Sequence, residues 1–141
     1  MELALIRTLM DKEFYDNNKG IRTPDELFTK DVRIIKRTLD YAMQTYEQDL
    51  SPAELESLFF TRNTLTTANK EAYKDLFRKI YKEKPMSDSI AQEVLGKLFQ
   101  QVVGEKIANI GFKYVNGLES TLEPIRKLIS DYQDDFMPNL K

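Results

Sequence analysis

The chain contains no cysteine, no histidine and no tryptophan. Without cysteine there are no disulfides and no thiolate metal sites, which is compatible with a reducing compartment. Without histidine the commonest general base is gone, together with the Ser-His and Cys-His nucleophile pairs and the usual zinc ligand. Charge of one sign is also lacking. Lys+Arg is 21 and Asp+Glu is 23, a formal net charge of −2, so no basic excess supplies the footprint of an autonomous duplex-DNA binder. No apolar run approaches the roughly 20 residues of a membrane span. The N-terminus MELALIRTLMDKE is too charged and too short for a signal peptide. Nucleotide-binding loops are excluded as well. At Gly96-Lys97 a phosphate loop would need glycine where Ala91 stands and serine or threonine where Leu98 stands. Acidic pairs such as Glu54/Glu56 and Asp134/Asp135 lie in charge-rich surroundings and read as solvated surface. No cofactor or metal is expected.

Helical periodicity is what the chain has in abundance. Hydrophobic residues make up 41% and charged residues 31% of its 141 positions, the balance of a folded helical protein rather than a disordered one. Spacings of three and four place side chains on one face of a helix. The first such segment, about residues 2–15, carries Leu3, Ile6, Met10 and Phe14, with Leu5 and Leu9 beside them. Asn17-Asn18-Lys19-Gly20 ends it, with Gly20 as the left-handed terminator. After a turn at Thr23-Pro24-Asp25, Phe28, Val32, Ile35, Leu39, Ala42 and Tyr46 mark a helix from about 29 to 46. Ser51-Pro52-Ala53-Glu54 is a capping box with proline at the first helical position, opening a short helix to about Thr61. Residues 61–67 are polar and loop-like. Tyr73, Leu76, Phe77, Ile80 and Tyr81 define a helix over 68–82, and Lys84-Pro85 stops it. No period-two strand pattern, internal repeat or low-complexity tract occurs.

The last third is the most informative. Leu95, Phe99, Val103, Ile107, Ile110 and Tyr114, with Val102 beside them, predict a helix over 88–115. Leu122, Ile125, Leu128, Ile129, Tyr132 and Phe136 predict a second over 121–136. Asn116-Gly117 between them suggests an antiparallel hairpin. The expected fold is therefore all-α: a compact head over 1–84, a helical hairpin for oligomerisation over 85–136, and the start of a linker at 137–141. Gly104 and Gly111, seven apart on one face, admit two readings: a weakened or bent helix, or bare backbone that lets another helix come close. Val94, Leu98 and Phe112 lie outside the arc that one partner helix covers. The surplus apolar surface points to another subunit. The expected interface comprises Leu95, Leu98, Phe99, Val102, Val103, Ile107 and Ile110. The cations Lys30, Arg33, Lys36 and Arg37 read as a solvated helix face, with weak single-stranded DNA binding as the alternative.

The order of these elements resembles the N-terminal domain of the DnaB-type replicative DNA helicases. The resemblance rests on LALIRTLMDKEFYD, the turn PDELF, the helix VRIIKRTLDYAMQTY, SPAELESLF, KEAYKDLFRKIYKEKP, and the hairpin segments QEVLGKLFQQVVGEKIANIGFKY and TLEPIRKLISDY. It spans nearly the whole chain, through helical patterns rather than catalytic signatures. Two departures stand out: the Pro-Val-Asp-like approach to the short helix is missing, and residues 62–68 lack the Gly-Gly and Asn-Thr-Pro-Ser elements of bacterial members. Both suggest a diverged member, such as a phage-encoded one. The resemblance implies a collar domain, non-catalytic by itself, that precedes a linker and a motor. It would associate with itself as a dimer, trimer of dimers or hexamer, dock primase or a helicase loader, and touch single-stranded DNA weakly or indirectly in a bacterial cytoplasm. Two other classes remain open: a free-standing all-α adaptor resembling a helicase loader, and an enzyme built from Tyr, Lys and carboxylates.

Overall fold

A computed structural model describes the backbone of residues 1–136 and the side chains of residues 1–132. The stretch read as the start of a linker, 137–141, and the side chain of Phe136 lie outside the described residues. Within them the chain is all-α: α1 (Glu2–Leu9), α2 (Lys12–Asn17), α3 (Lys30–Tyr46), α4 (Pro52–Arg62), α5 (Thr67–Lys82), α6 (Asp88–Val115) and α7 (Glu123–Phe136). Two single 3-10 turns, Gly20–Arg22 and Asp25–Leu27, join α2 to α3. The chain divides into two compact units, Met1–Ala91 and the part from Gln92 onward, and α6 runs across that division.

The first unit is built around α3. Val32, Ile35, Leu39 and Ala42, all but excluded from solvent, form its inward stripe. Leu5, Ile6 and Leu9 of α1, Leu55 and Phe59 of α4, and Phe77 and Ile80 of α5 complete the core. Phe59 meets Tyr73 at 4.7 Å and Phe77 at 5.4 Å between ring centroids, both tilted, within the roughly 4.5–7 Å separation of interacting aromatic pairs. Each such side chain contributes about 1.5–3 kcal/mol by leaving water. The α4 capping box is present in both directions: the Glu54 amide donates to Ser51 Oγ at 3.2 Å, and the Ser51 amide donates to Glu54 Oε1 at 2.9 Å.

Three sequence expectations change. The segment 2–15 is two helices rather than one, because Asp11 is extended and its carboxylate accepts from the Phe14 amide at 2.9 Å. A side chain that caps a new helix competes with continuation of the old one. The left-handed residue is Lys19, at φ 54°, and not Gly20. Glycine is required at 20 for a different reason: a Cβ there would lie 2.3 Å from Cδ2 of Tyr15. The division between units falls after Ala91 instead of at Lys84. Residues on both sides of the proline are tied to α1, with the Arg7 guanidinium donating to the Glu83 carbonyl at 3.0 Å and the Met86 amide donating to Thr8 Oγ1 at 2.9 Å. Ala91 itself is fully buried.

In the second unit α6 ends in a Schellman motif. The Leu118 amide donates to the Lys113 carbonyl at 2.8 Å, the Gly117 amide donates to the Tyr114 carbonyl at 3.1 Å, and Gly117 sits at φ +74°. Glycine adopts that region without the Cβ penalty. The turn at Asn116-Gly117 is therefore where the sequence placed it. On α7, Ile125, Leu128 and Tyr132 are half-buried and Ile129 is exposed, as is Leu122 just before it.

Candidate functional site

With 28 residues at 1.5 Å each, α6 extends roughly 42 Å, and its burial changes along that length. Leu95, Phe99 and Val102 are 3%, 3% and 7% exposed. These three, expected at the centre of an interface, are already buried within the single chain. Leu98, Val103, Ile107 and Ile110 are half-buried. Beyond them the picture reverses. Phe112, Tyr114 and Val115 at the end of α6, and Leu118 and Leu122 just after it, are all exposed, Val115 to 82% and Leu118 to 72%. The available apolar surface is thus centred on residues 112–122, further along than the periodicity suggests. Periodicity weights a helix interior; it gives no weight to Val115 or Leu118 at its end. The signal present in the sequence was an apolar residue on each side of the Asn-Gly turn, where polar residues are usual.

The helix glycines bear on the same surface. A Cβ at Gly96, Gly104 or Gly111 would meet nothing within 4 Å, so none of the described residues uses the bare backbone for close approach. That leaves a weakened helix, or a second molecule, as the two readings.

A polar cluster lies in the first unit. The Tyr15 hydroxyl donates to Asp40 Oδ1 at 2.6 Å, and Lys36 Nζ donates to the same oxygen at 2.6 Å and to the Gly20 carbonyl at 3.0 Å. Burial pushes the Asp40 carboxyl up, against the pull of Lys36 and the Tyr15 hydroxyl. Burial, then the neighbouring Asp40, drives the Tyr15 phenol far above its ordinary range. Tyr15 and Lys36 are 1% and 2% exposed, and their bonds to Asp40 and the Gly20 carbonyl brace α2, the Gly20 turn and α3 against one another. The expected basic face is correspondingly reduced. Lys36 is internal, and Arg33 Nε donates to the carbonyls of Asp25 and Phe28, both at 2.8 Å. The aliphatic stem lets Lys36 occupy a buried helix position while its ammonium reaches a carbonyl and a carboxylate. Among the described residues no group of three or more acidic side chains is placed to hold a metal ion, and no helix is long and apolar enough to cross a membrane.

One open groove, about 370 Å³, lies where α3 runs into α4 and is lined by Tyr46, Leu50, Ala53, Glu54, Ser57 and Leu58 among others. It is mainly apolar. Compared with known proteins, the chain matches no family model, no curated protein and no solved structure.

Proposed function

We propose that this chain is a non-catalytic assembly domain whose second unit associates with further copies of itself, in the manner of the collar of a DnaB-type replicative helicase. In that reading α6 and α7 fold back as a hairpin, copies meet through it, and the first unit offers a docking face to primase or a loader. Motor activity, nucleotide binding and translocation then belong to another part of a longer bacterial or phage protein acting in the cytoplasm. The observation that carries the proposal is the exposed run from Phe112 to Leu122. Large apolar side chains concentrated in so short a stretch are what an interaction site leaves on an isolated subunit.

The energetics are adequate. Micromolar association requires about 8 kcal/mol net. Covering several large apolar side chains on each of two subunits at about 1.5–3 kcal/mol apiece exceeds that before the cost of lost translation and rotation, about 4–15 kcal/mol, is subtracted. Self-association is therefore expected to be moderate and concentration-dependent.

The test is sedimentation of the whole chain over a range of concentrations, beside the double substitution Phe112→Glu, Leu118→Glu. Both positions are exposed, so the helical circular dichroism should be retained while the larger species disappears. A wild-type chain that stays monomeric at high concentration would remove the basis for the reading. The helicase reading further requires that the gene encode a GxxxxGK[ST] segment downstream; a free-standing adaptor would show the same self-association without it.

A further inference from the structure

The groove at the α3–α4 corner has an independent chemistry, on residues other than those invoked for self-association. Its floor is Leu50, 6% exposed, with half-buried Leu58 beside it, and its wall is Tyr46, 48% exposed. The wall is held in place from behind. The Tyr46 ring meets Tyr41 edge-to-face at 6.3 Å, and the Arg62 guanidinium lies 3.5 Å over the Tyr41 ring. The floor is held too, by the Leu50 amide donating to the Met10 carbonyl at 3.0 Å. A rigid apolar recess needs little reorganisation to receive a side chain.

Along the chain segment that lines it the charge is of one sign. From Tyr46 to Thr61 the chain carries Glu47, Asp49, Glu54 and Glu56 and no lysine or arginine. The nearest following cation, Arg62, is on Tyr41. Of the cations elsewhere, Lys12 is turned to the Met43 carbonyl and Asp16, at 3.0 Å each. The Glu54 carboxyl is held below its usual range by the Ser51 amide and hydroxyl, so its charge persists into acid.

We propose that this groove docks a partner segment that presents large apolar side chains flanked by lysine or arginine, in the form of a basic amphipathic helix. Apolar side chains fill the recess between Tyr46 and Leu58, and the flanking cations meet the acidic rim. The rim supplies orientation and speed of encounter; the recess supplies residence.

The experiment is a nuclear magnetic resonance titration of the whole chain at physiological salt with two synthetic helices, one of leucine and lysine and one of leucine and glutamate. The leucine–lysine probe should shift Tyr46, Ala53 and Leu58, and the leucine–glutamate probe should leave them in place. The double variant Glu56→Lys, Ser57→Lys should weaken the first probe at least tenfold with circular dichroism unchanged. Reversal of a remote exposed acid, Glu71→Lys, should leave its affinity as it was. Equal binding of both probes would mean general apolar adhesion, and equal weakening by Glu71→Lys would mean general charge attraction. Shifts at the groove on concentrating the chain without probe would mean that a second copy occupies it. Each of these three results overturns the proposal.

Discussion

A methyl group at position 20 would sit 2.3–2.7 Å from three atoms of the Tyr15 ring, and that ring cannot swing freely because its hydroxyl is bonded to Asp40. Gly20→Ala should therefore cost about 1–3 kcal/mol, the usual penalty for overpacking a fixed site. One residue earlier the sign reverses. Lys19 bears the left-handed backbone, which costs a residue with a Cβ roughly 1–2 kcal/mol, so Lys19→Gly should gain up to about 1 kcal/mol after glycine's extra unfolded-state entropy. Urea unfolding of the two variants checks both. A stabilised Gly20→Ala would show that Tyr15 is not held as described. Here the sequence made the turn legible but not its mechanism: Asn-Asn-Lys-Gly announces a chain reversal, and only the packing of Tyr15 tells which residue must be glycine. The same cluster gives a pH dependence. Burial raises the folded pKa of Asp40 above 3.8, so the folded chain holds that proton to higher pH than the unfolded one. The corresponding contribution to stability is full below 3.8 and is lost as pH rises through the raised value. Relative to Asp40→Asn, the wild type should thus lose ground with rising pH across that window, as measured by urea unfolding at a series of pH values. A wild-type advantage that grows with pH would place the folded pKa on the other side of 3.8.

At the scale of the element, helix existence was readable nearly everywhere and helix boundaries were readable where chemistry marks them. Ser51-Pro52-Ala53-Glu54 gave the start of α4, and Asn116-Gly117 gave the end of α6, because a capping box and a left-handed glycine are local devices. The break between α1 and α2 was hidden for the opposite reason. The apolar spacing of Leu3, Ile6, Met10 and Phe14 continues across it, while the decisive bond, Asp11 to the Phe14 amide, involves a residue equally at home on a helix surface. The two kinds of glycine in α6 can be separated by substitution. Gly117→Ala should destabilise the chain by about 1 kcal/mol, since alanine must adopt φ +74°. Gly104→Ala should stabilise it by about 1 kcal/mol, because an added Cβ meets only open space. Thermal unfolding at low concentration reads both effects; a destabilised Gly104→Ala would mean that the bare backbone is already in use within the chain. Sedimentation at high concentration then asks the remaining question. If Gly104→Ala weakens association while stabilising the helix, another helix comes close there in the assembly.

Taken as a whole molecule, the chain has buried and exposed apolar residues that a single periodic stripe cannot distinguish. Along α6 the spacing of three and four is continuous from Leu95 to Tyr114, yet solvent is excluded at Leu95 and Phe99, partly admitted at Val103, Ile107 and Ile110, and admitted at Tyr114. Periodicity reports which face of a helix is apolar; it does not report how far along the helix this chain's own residues cover that face. The consequence separates two substitutions of similar chemistry. Val102→Glu places a carboxylate at a site 7% exposed, where an unpaired charge is either paid for by a raised pKa or expelled with local unfolding. That variant should lose several kcal/mol, on the order of 3–5, and should do so at every concentration. Phe112→Glu alters a side chain 66% exposed and should leave the dilute chain within about 0.5 kcal/mol of wild type, its effect emerging only where copies associate. Chemical denaturation of both variants, each at low and high protein concentration, makes the comparison. A Val102→Glu chain as stable as wild type when dilute, and deficient only in association, would return Val102 to the interface and move the centre of the assembly surface back toward the start of α6.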